Sequence, residues 1–241
     1  MCTVTYIPPL KGNGFILTSN RDERAMRQTT PPAKYGENGS SLWFPQDRES
    51  GGSWIAVSDK GRISCLLNGA FEPHQKQAHH TLSRGRILME LAAEPGDVQA
   101  YFFTRDLANV EPFTIVSIDH HQGTISGMSQ CIWDGAGKHY RKLDPRSPYI
   151  WSSVTLYDED HRNLRRDWFH KFFAEHREEV LPGEILRFHR ATHINDPSVN
   201  VIMKREGGLR TVSITQVTPG QDKVLMNYFD LIAETEHEIE I

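Results

Sequence analysis

Residues 1–24 read MCTVTYIPPLKGNGFILTSNRDER, and two β-type runs stand out in them. CTVTY (2–6) and GFILTSN (14–20) are joined by the turn-rich IPPLKGNG, and the second run ends in four consecutive polar residues, Asn20, Arg21, Asp22 and Glu23. Strands this close in sequence pair as antiparallel neighbours. The same grammar recurs downstream. SWIAVSDKGRISCLLN (53–68) turns around Asp-Lys-Gly, and FTIVSID (113–119) and TISGMSQCIWD (124–134) turn around HHQG. VNVIMKRE (199–206) and RTVSITQV (210–217) read as two final strands joined by GGL, before DKVLMNYFDLI closes the chain. The stretch 31–52, rich in Pro, Gly and Ser, reads as a loop.

Helical patterns lie between these hairpins. Ser83 is a fitting N-cap for SRGRILMELAAE, and PGDVQAYFFTRDL reads as a further helix. The clearest pattern is DEDHRNLRRDWFHKFFAEHRE (158–178), where Leu164, Trp168 and Phe172 recur at i, i+4 and i+8, widened by Phe169 and Phe173. RNLRRDW within it reads as a solvated face. A shorter helix is expected around GEILRFHR (183–190). Hairpins, then helices, then hairpins predict an α+β fold or a helix–sheet–sheet–helix sandwich rather than a doubly wound parallel sheet. No repeat or linker divides the chain, so residues 1–241 are expected to form a single domain.

A formal net charge of −4 with scattered Lys and Arg argues against a nucleic-acid footprint. No run approaches the roughly 18 apolar residues of a membrane span, and the opening has neither the basic nor the apolar region of a signal peptide. The 3 cysteines, Cys2, Cys65 and Cys131, are odd in number and widely spaced, which suits free thiols in a reducing compartment. A cytoplasmic location is expected. Cys65 and Cys131 fall in apolar strands and read as inert core thiols.

Familiar catalytic signatures are missing: there is no Gly-rich phosphate loop and no GxSxG elbow. Among the 12 histidines, those of HQKQAHH and DHH lie in polar loops. His189 and His193 have i, i+4 spacing, but the helix ends near Thr192 with no Glu between them, so no metal site and no cofactor are expected. Two features remain. A strand ending in Arg21 and Asp22 is either a charged turn or an inward-facing pair able to hold a substrate or an α-amine. Cys2 is either a packing residue or, once Met1 is cleaved, an N-terminal nucleophile. Its thiol near pKa 8.5 and α-amine near 7.7–8.0 would then titrate close to neutrality.

Taken together, the Met-Cys start and the Asn-Arg-Asp-Glu strand end resemble the NRDE family, also called the transport-and-Golgi-organisation family. That family is akin to N-terminal nucleophile (Ntn) hydrolases such as bile-salt hydrolases, penicillin V acylases and isopenicillin N acyltransferases. GGSWIAVSDKGRISCLLN is similar to the family's Gly-Gly-(Thr/Ser)-Trp segment, in which an Asn ends the second strand, and GGLRTVSITQV is similar to its GTRTNT strand. The resemblance implies a four-layer αββα sandwich of two antiparallel sheets. It implies Cys2 as nucleophile, Arg21 and Asp22 as the charged pair beside it, Asn68 as an oxyanion donor, and Arg210 as the Arg that closes the site. The acylase motif has the form GRNxD, so Asn20 or Glu23 could hold a role in place of its neighbours. Where the acylases carry a second strand-end Asn, this chain has IWSSVTLYDED, and Ser152 or Ser153 stands in its place. Trp54 is a packing residue or a shelf for substrate, with packing favoured.

The implied chemistry is cleavage or transfer of the acyl group of a non-peptide C–N amide. The implied partner is a small-molecule amide or acyl substrate. A second reading is a non-catalytic Ntn-fold protein that binds haem or acyl lipid.

Overall fold

The computed structural model describes residues 3–10, 14–176, 178–220 and 222–241, and Cys2 lies outside them. The described residues form two antiparallel sheets and four α-helices, the α+β class expected. The chain divides into two compact units, Met1–Arg27 with Arg146–Ile241, and Gln28–Pro145.

The first unit is built on a six-stranded sheet. Its strands are β1 (Thr3–Ile7), β2 (Ile16–Arg24), β10 (Tyr149–Ser152), β11 (Leu209–Pro219), β12 (Val224–Asp230) and β13 (Thr235–Glu240). Their spatial order is β10-β1-β2-β11-β12-β13. Helices α3 (Glu159–Glu175) and α4 (Pro182–Arg190) pack on one face of it. Ile7, Ile16, Phe169, Ile185, Phe188 and Val201 form the core beneath them. Asp158 caps α3 through the His161 amide at 2.9 Å, and Glu159 and Asp160 complement the positive end of its dipole.

The buried register of α3 differs from the periodic reading by one position. Arg165 and Phe169 are its fully buried residues, and Leu164 is 38% exposed. The expectation that RNLRRDW is a solvated face therefore fails at Arg165. Its guanidinium carbon lies 3.3 Å from the centre of the Tyr157 ring, and Nη2 donates to Asn200 O at 2.5 Å. An aromatic face and one carbonyl offset part of the loss of water, while Nε and Nη1 have no hydrogen-bond partner among the described residues.

The second unit is a seven-stranded meander in the order β3-β4-β5-β6-β7-β8-β9. It comprises β3 (Thr29–Glu37), β4 (Ser40–Asp47), β5 (Ile55–Ser58), β6 (Arg62–Asn68), β7 (Phe113–His121), β8 (Thr124–Trp133) and β9 (Lys138–Lys142). Helices α1 (Arg84–Ala93) and α2 (Val98–Thr104) cover it over a core that includes Leu66, Leu88, Phe102, Phe113 and Cys131. Burial pushes the Cys131 thiol up to about 12, the inert character expected of it.

Residues 31–52 are not a loop. β3 and β4 form a hairpin turning at Asn38 and Gly39, which have φ of 48° and 77°. The two prolines of β3 are accommodated because it is an edge strand with an irregular register between Thr30 and Ala33. Residues 199–206 in turn are not a strand. They form a loop tied down by Asn200, whose side chain accepts from the amides of His193 and Ile194 and donates to Ile194 O and Asp196 O.

The Gly-Gly-Ser-Trp segment has a packing reason. Helix α1 approaches it so closely that a Cβ on Gly85 would lie 2.7 Å from Ser53 O. Among the described residues no helix is long and apolar enough to cross a membrane.

Candidate functional site

Strand β2 divides its polar residues between two faces because side chains alternate along a strand. Thr18, Asn20 and Asp22 point toward the helices. Gln216 bridges Thr18 Oγ1 (3.1 Å) to Pro182 O at the start of α4 (3.0 Å). Asn20 Nδ2 donates to Val201 O and His189 O at 2.9 and 3.3 Å, leaving its Oδ1 as an acceptor 2.7 Å from His189 Nδ1. That fixes one neutral tautomer of His189. Nδ1 carries the proton, and Nε2 accepts from Thr5 Oγ1 at 2.7 Å. Burial, and after it the nearby His193 and Arg165, push the His189 pKa down to about 3. Both ring nitrogens are engaged.

Asp22 is held as firmly. Thr211 Oγ1 donates to its Oδ1 at 2.6 Å, and Tyr157 Oη donates to its Oδ2 at 2.7 Å. Thr211 Oγ1 in turn accepts from the Met203 amide. The Tyr157 ring that serves Asp22 also lies against the buried Arg165 guanidinium. A carboxylate and a guanidinium thus share one phenol, at its hydroxyl and at its face.

The opposite face of β2 carries Leu17, Ser19 and Arg21. Their partners across the ladder are Val217, Thr215 and Ser213 on β11, with Val4 beside Ser19 on β1. This face grades from apolar to polar along the strands. Tyr6, Leu17 and Val217 give way to Val4, Ser19 and Thr215, and then to Arg21 and Ser213. All are buried. The hydroxyls of Ser19, Ser213 and Thr215 have no hydrogen-bond partner among the described residues, and Arg21 Nη1 reaches Arg27 O at 3.4 Å. One further orphan hydroxyl, Thr3 Oγ1, lies on the helix side.

A β-bulge makes this division possible. The register of β11 against β2 shifts between Thr211, opposite Asp22, and Ser213, opposite Arg21. Two residues of the same parity thereby serve opposite faces.

The remaining expected residues distribute as follows. Arg210 is half-buried opposite Glu23. Ser152 pairs with Thr3 at the end of β10, and buried Ser153 follows it with its hydroxyl 2.9 Å from Thr155 Oγ1. In the second unit, Asn68 ends β6 opposite Phe113, and Trp54 is buried in front of β5. The structure therefore places Asn20, Arg21, Asp22, Ser153 and Arg210 in one unit and Trp54 and Asn68 in the other. Sequence reasoning did not single out Ser19, Tyr157, His189, Thr211, Ser213 or Thr215 as parts of the site. For Ser19, Ser213 and Thr215 the available signal was polar residues within otherwise apolar strands.

Solved structures with the same fold come from several organisms. The chain is similar to an N-acylethanolamine-hydrolyzing acid amidase ortholog from Caenorhabditis elegans, with 12% identity and a TM-score of 0.57 over 92% of this chain and 94% of that one. It is similar to penicillin V acylase from Agrobacterium tumefaciens, with 10% identity and a TM-score of 0.58 over 100% and 86% of the two chains. It is also similar to a variant of conjugated bile acid hydrolase from Clostridium perfringens, with 9% identity and a TM-score of 0.63 over 99% and 92%. These likenesses show the fold alone, two antiparallel sheets with their helices. No curated protein matches the chain in sequence. The profile of the family described as Transport and Golgi organisation 2 matches residues 1–223, so the chain belongs to the Transport and Golgi organisation 2 family.

Proposed function

We propose that the protein is an N-terminal-cysteine amidohydrolase or acyltransferase acting on a non-peptide amide. The observation that carries this reading is the helix-free face of β2, where buried Arg21 lies among orphan hydroxyls beside the strand that Cys2 precedes. A guanidinium in a buried polar patch favours a neighbouring thiolate. Asp22 accepts from two hydroxyls, which fix its carboxylate in position. The names of the structural neighbours add support, since each is an acylase, amidase or hydrolase.

In the proposed mechanism Met1 is removed and the α-amine of Cys2 takes the thiol proton, directly or through one water. The sulfur attacks the amide carbon and the C=O π electrons move to oxygen. A preorganised N–H donor, the part that the family resemblance gives to Asn68, would stabilise that oxyanion. Collapse breaks the C–N bond, and the amine departs with the proton held by the α-ammonium, leaving a thioester. Water gives the acid, or an acceptor amine gives a new amide, and the thiol is regenerated.

The test is intact mass with thiol labelling, followed by turnover of a panel of N-acyl amides. Met1 should be absent, Cys2 should label faster than Cys65 and Cys131, and Cys2→Ala should abolish turnover. Asn68→Ala should lower kcat by about 10²- to 10³-fold. Retention of Met1 with no selective labelling sinks the reading.

One observation favours a binding protein without turnover. The Ser153 hydroxyl is engaged by Thr155, where the acylases that the sequence resembles carry a second Asn. Haem or acyl-lipid binding that survives Cys2→Ala, with no turnover of any amide, is the result that selects this alternative.

A further inference from the structure

We infer that Ser19, Ser213 and Thr215, with Arg21, form a subsite for a carboxylate on the ligand. The identification of that ligand as an N-acyl compound rests on the acylase reading above; the subsite itself rests on the geometry of one sheet face.

Ser19 stands directly across from Thr215, and Arg21 directly across from Ser213. Directly opposed residues have Cβ atoms about 5 Å apart, and residues two apart on one strand lie about 7 Å apart. The four side chains therefore outline a small rectangle, one corner cationic and three hydroxylic. Ser19, Ser213 and Thr215 are each 0% exposed, and none of their hydroxyls has a hydrogen-bond partner among the described residues.

Buried polar atoms are otherwise almost always paired, because an unpaired one costs about 1–3 kcal/mol. Three side by side on one face, beside a guanidinium, are costly to stability and useful only to a ligand. What they offer is three free O–H donors and a nearby positive charge. A carboxylate matches this, being acceptor-only with about four lone-pair sites in a small planar group. A neutral amide or alcohol would bring a competing donor and no charge.

The alternative for these hydroxyls is a structural part, and it predicts the opposite response to mutation. Removing an unpaired buried hydroxyl leaves stability unchanged or raises it, whereas removing a bonded one lowers it.

The experiment measures binding to the Cys2→Ala protein by calorimetry, so that turnover plays no part. The probes are N-dodecanoylglycine and N-dodecanoylmethylamine, which differ by the carboxylate. The glycine conjugate should bind about 10-fold more tightly, the difference expected of charge-assisted hydrogen bonds. Adding Ser213→Ala and Thr215→Val should cut that preference to about 2-fold while the thermal midpoint stays level or rises. Ser19→Ala alone should reduce it in part.

Equal affinity for the two probes, binding of neither, or a preference untouched by the added substitutions would each overturn the subsite. So would a marked fall in the thermal midpoint of the hydroxyl variants. The acylase reading is judged separately. If wild-type protein hydrolyses neither probe nor any other amide while the carboxylate preference holds, that reading fails and the subsite stands.

Discussion

The two faces of strand β2 use the same kinds of residue to different ends. Toward the helices, Thr18, Asn20 and Asp22 are tied to Gln216, His189, Val201, Thr211 and Tyr157, so each of these side chains is held by a partner. On the other face, Ser19 and its neighbours Ser213 and Thr215 are equally buried and their hydroxyls have no hydrogen-bond partner among the described residues. Burial alone does not tell the two faces of β2 apart; hydrogen bonding does, and on the helix side the orphan hydroxyl is Thr3 Oγ1 of the neighbouring β1. The saturated face specifies how the helices dock, and the unsaturated face holds donors in reserve.

Substitutions at matched depth break or sharpen this contrast. The largest effect is expected at Asn20→Leu, which strips three hydrogen bonds and leaves His189 Nδ1–H and Val201 O unpaired in the core. It should cost about 4 kcal/mol in denaturant unfolding, with the slope unchanged. Tyr157→Phe removes one donor from a buried carboxylate and should cost about 2 kcal/mol, measured in the same way. A cost near zero at either position would remove the basis for calling that face structural.

The third effect depends on pH. His189 is held near pKa 3 in the folded protein against 6.5 as its ordinary value. Between these limits the unfolded chain binds the proton and the folded chain does not, so stability is full above pH 6.5 and falls as the pH drops toward 3. The slope should reach about 1.4 kcal/mol per pH unit from this group. His189→Gln should lower stability at neutral pH and flatten the curve below pH 6.5. A curve of unchanged slope would mean that another group carries the acid transition. The smallest effect is expected across the strand, where Ser213→Ala should change stability by about 0 kcal/mol. A large loss there would erase the difference between the faces.

How much of this was legible in the chain varies by residue. Hairpin adjacency was enough for the antiparallel sheets, and Arg21 and Asp22 were visible as polar residues at the end of an apolar strand. That they point to opposite faces follows from alternation, but the partners of Asp22, Tyr157 and Thr211, lie more than a hundred residues away and leave no local mark. Asn38-Gly39 was a turn signal submerged in a Pro- and Gly-rich stretch, so a hairpin read as a loop. Arg165 was placed outside because charge usually follows water, and no pattern announces that Tyr157 will offer its ring. His189 was weighed as a metal ligand on its spacing to His193, whereas its bonds are made to Thr5 and Asn20. In β11 strict alternation would have grouped Thr211 with Ser213 and Thr215. The bulge separates them, and only the paired strand reveals it.

That extra residue in β11 has a consequence for how the chain can vary. Val212 is the residue the ladder does not count. Delete it, and Thr211 keeps its place opposite Asp22 while Ser213 keeps its place opposite Arg21, because ordinary alternation then puts the two on opposite faces. A deletion elsewhere in the strand would turn the residues beyond it to the other face. The strand thus tolerates a lost residue at this one point and is intolerant of frame around it.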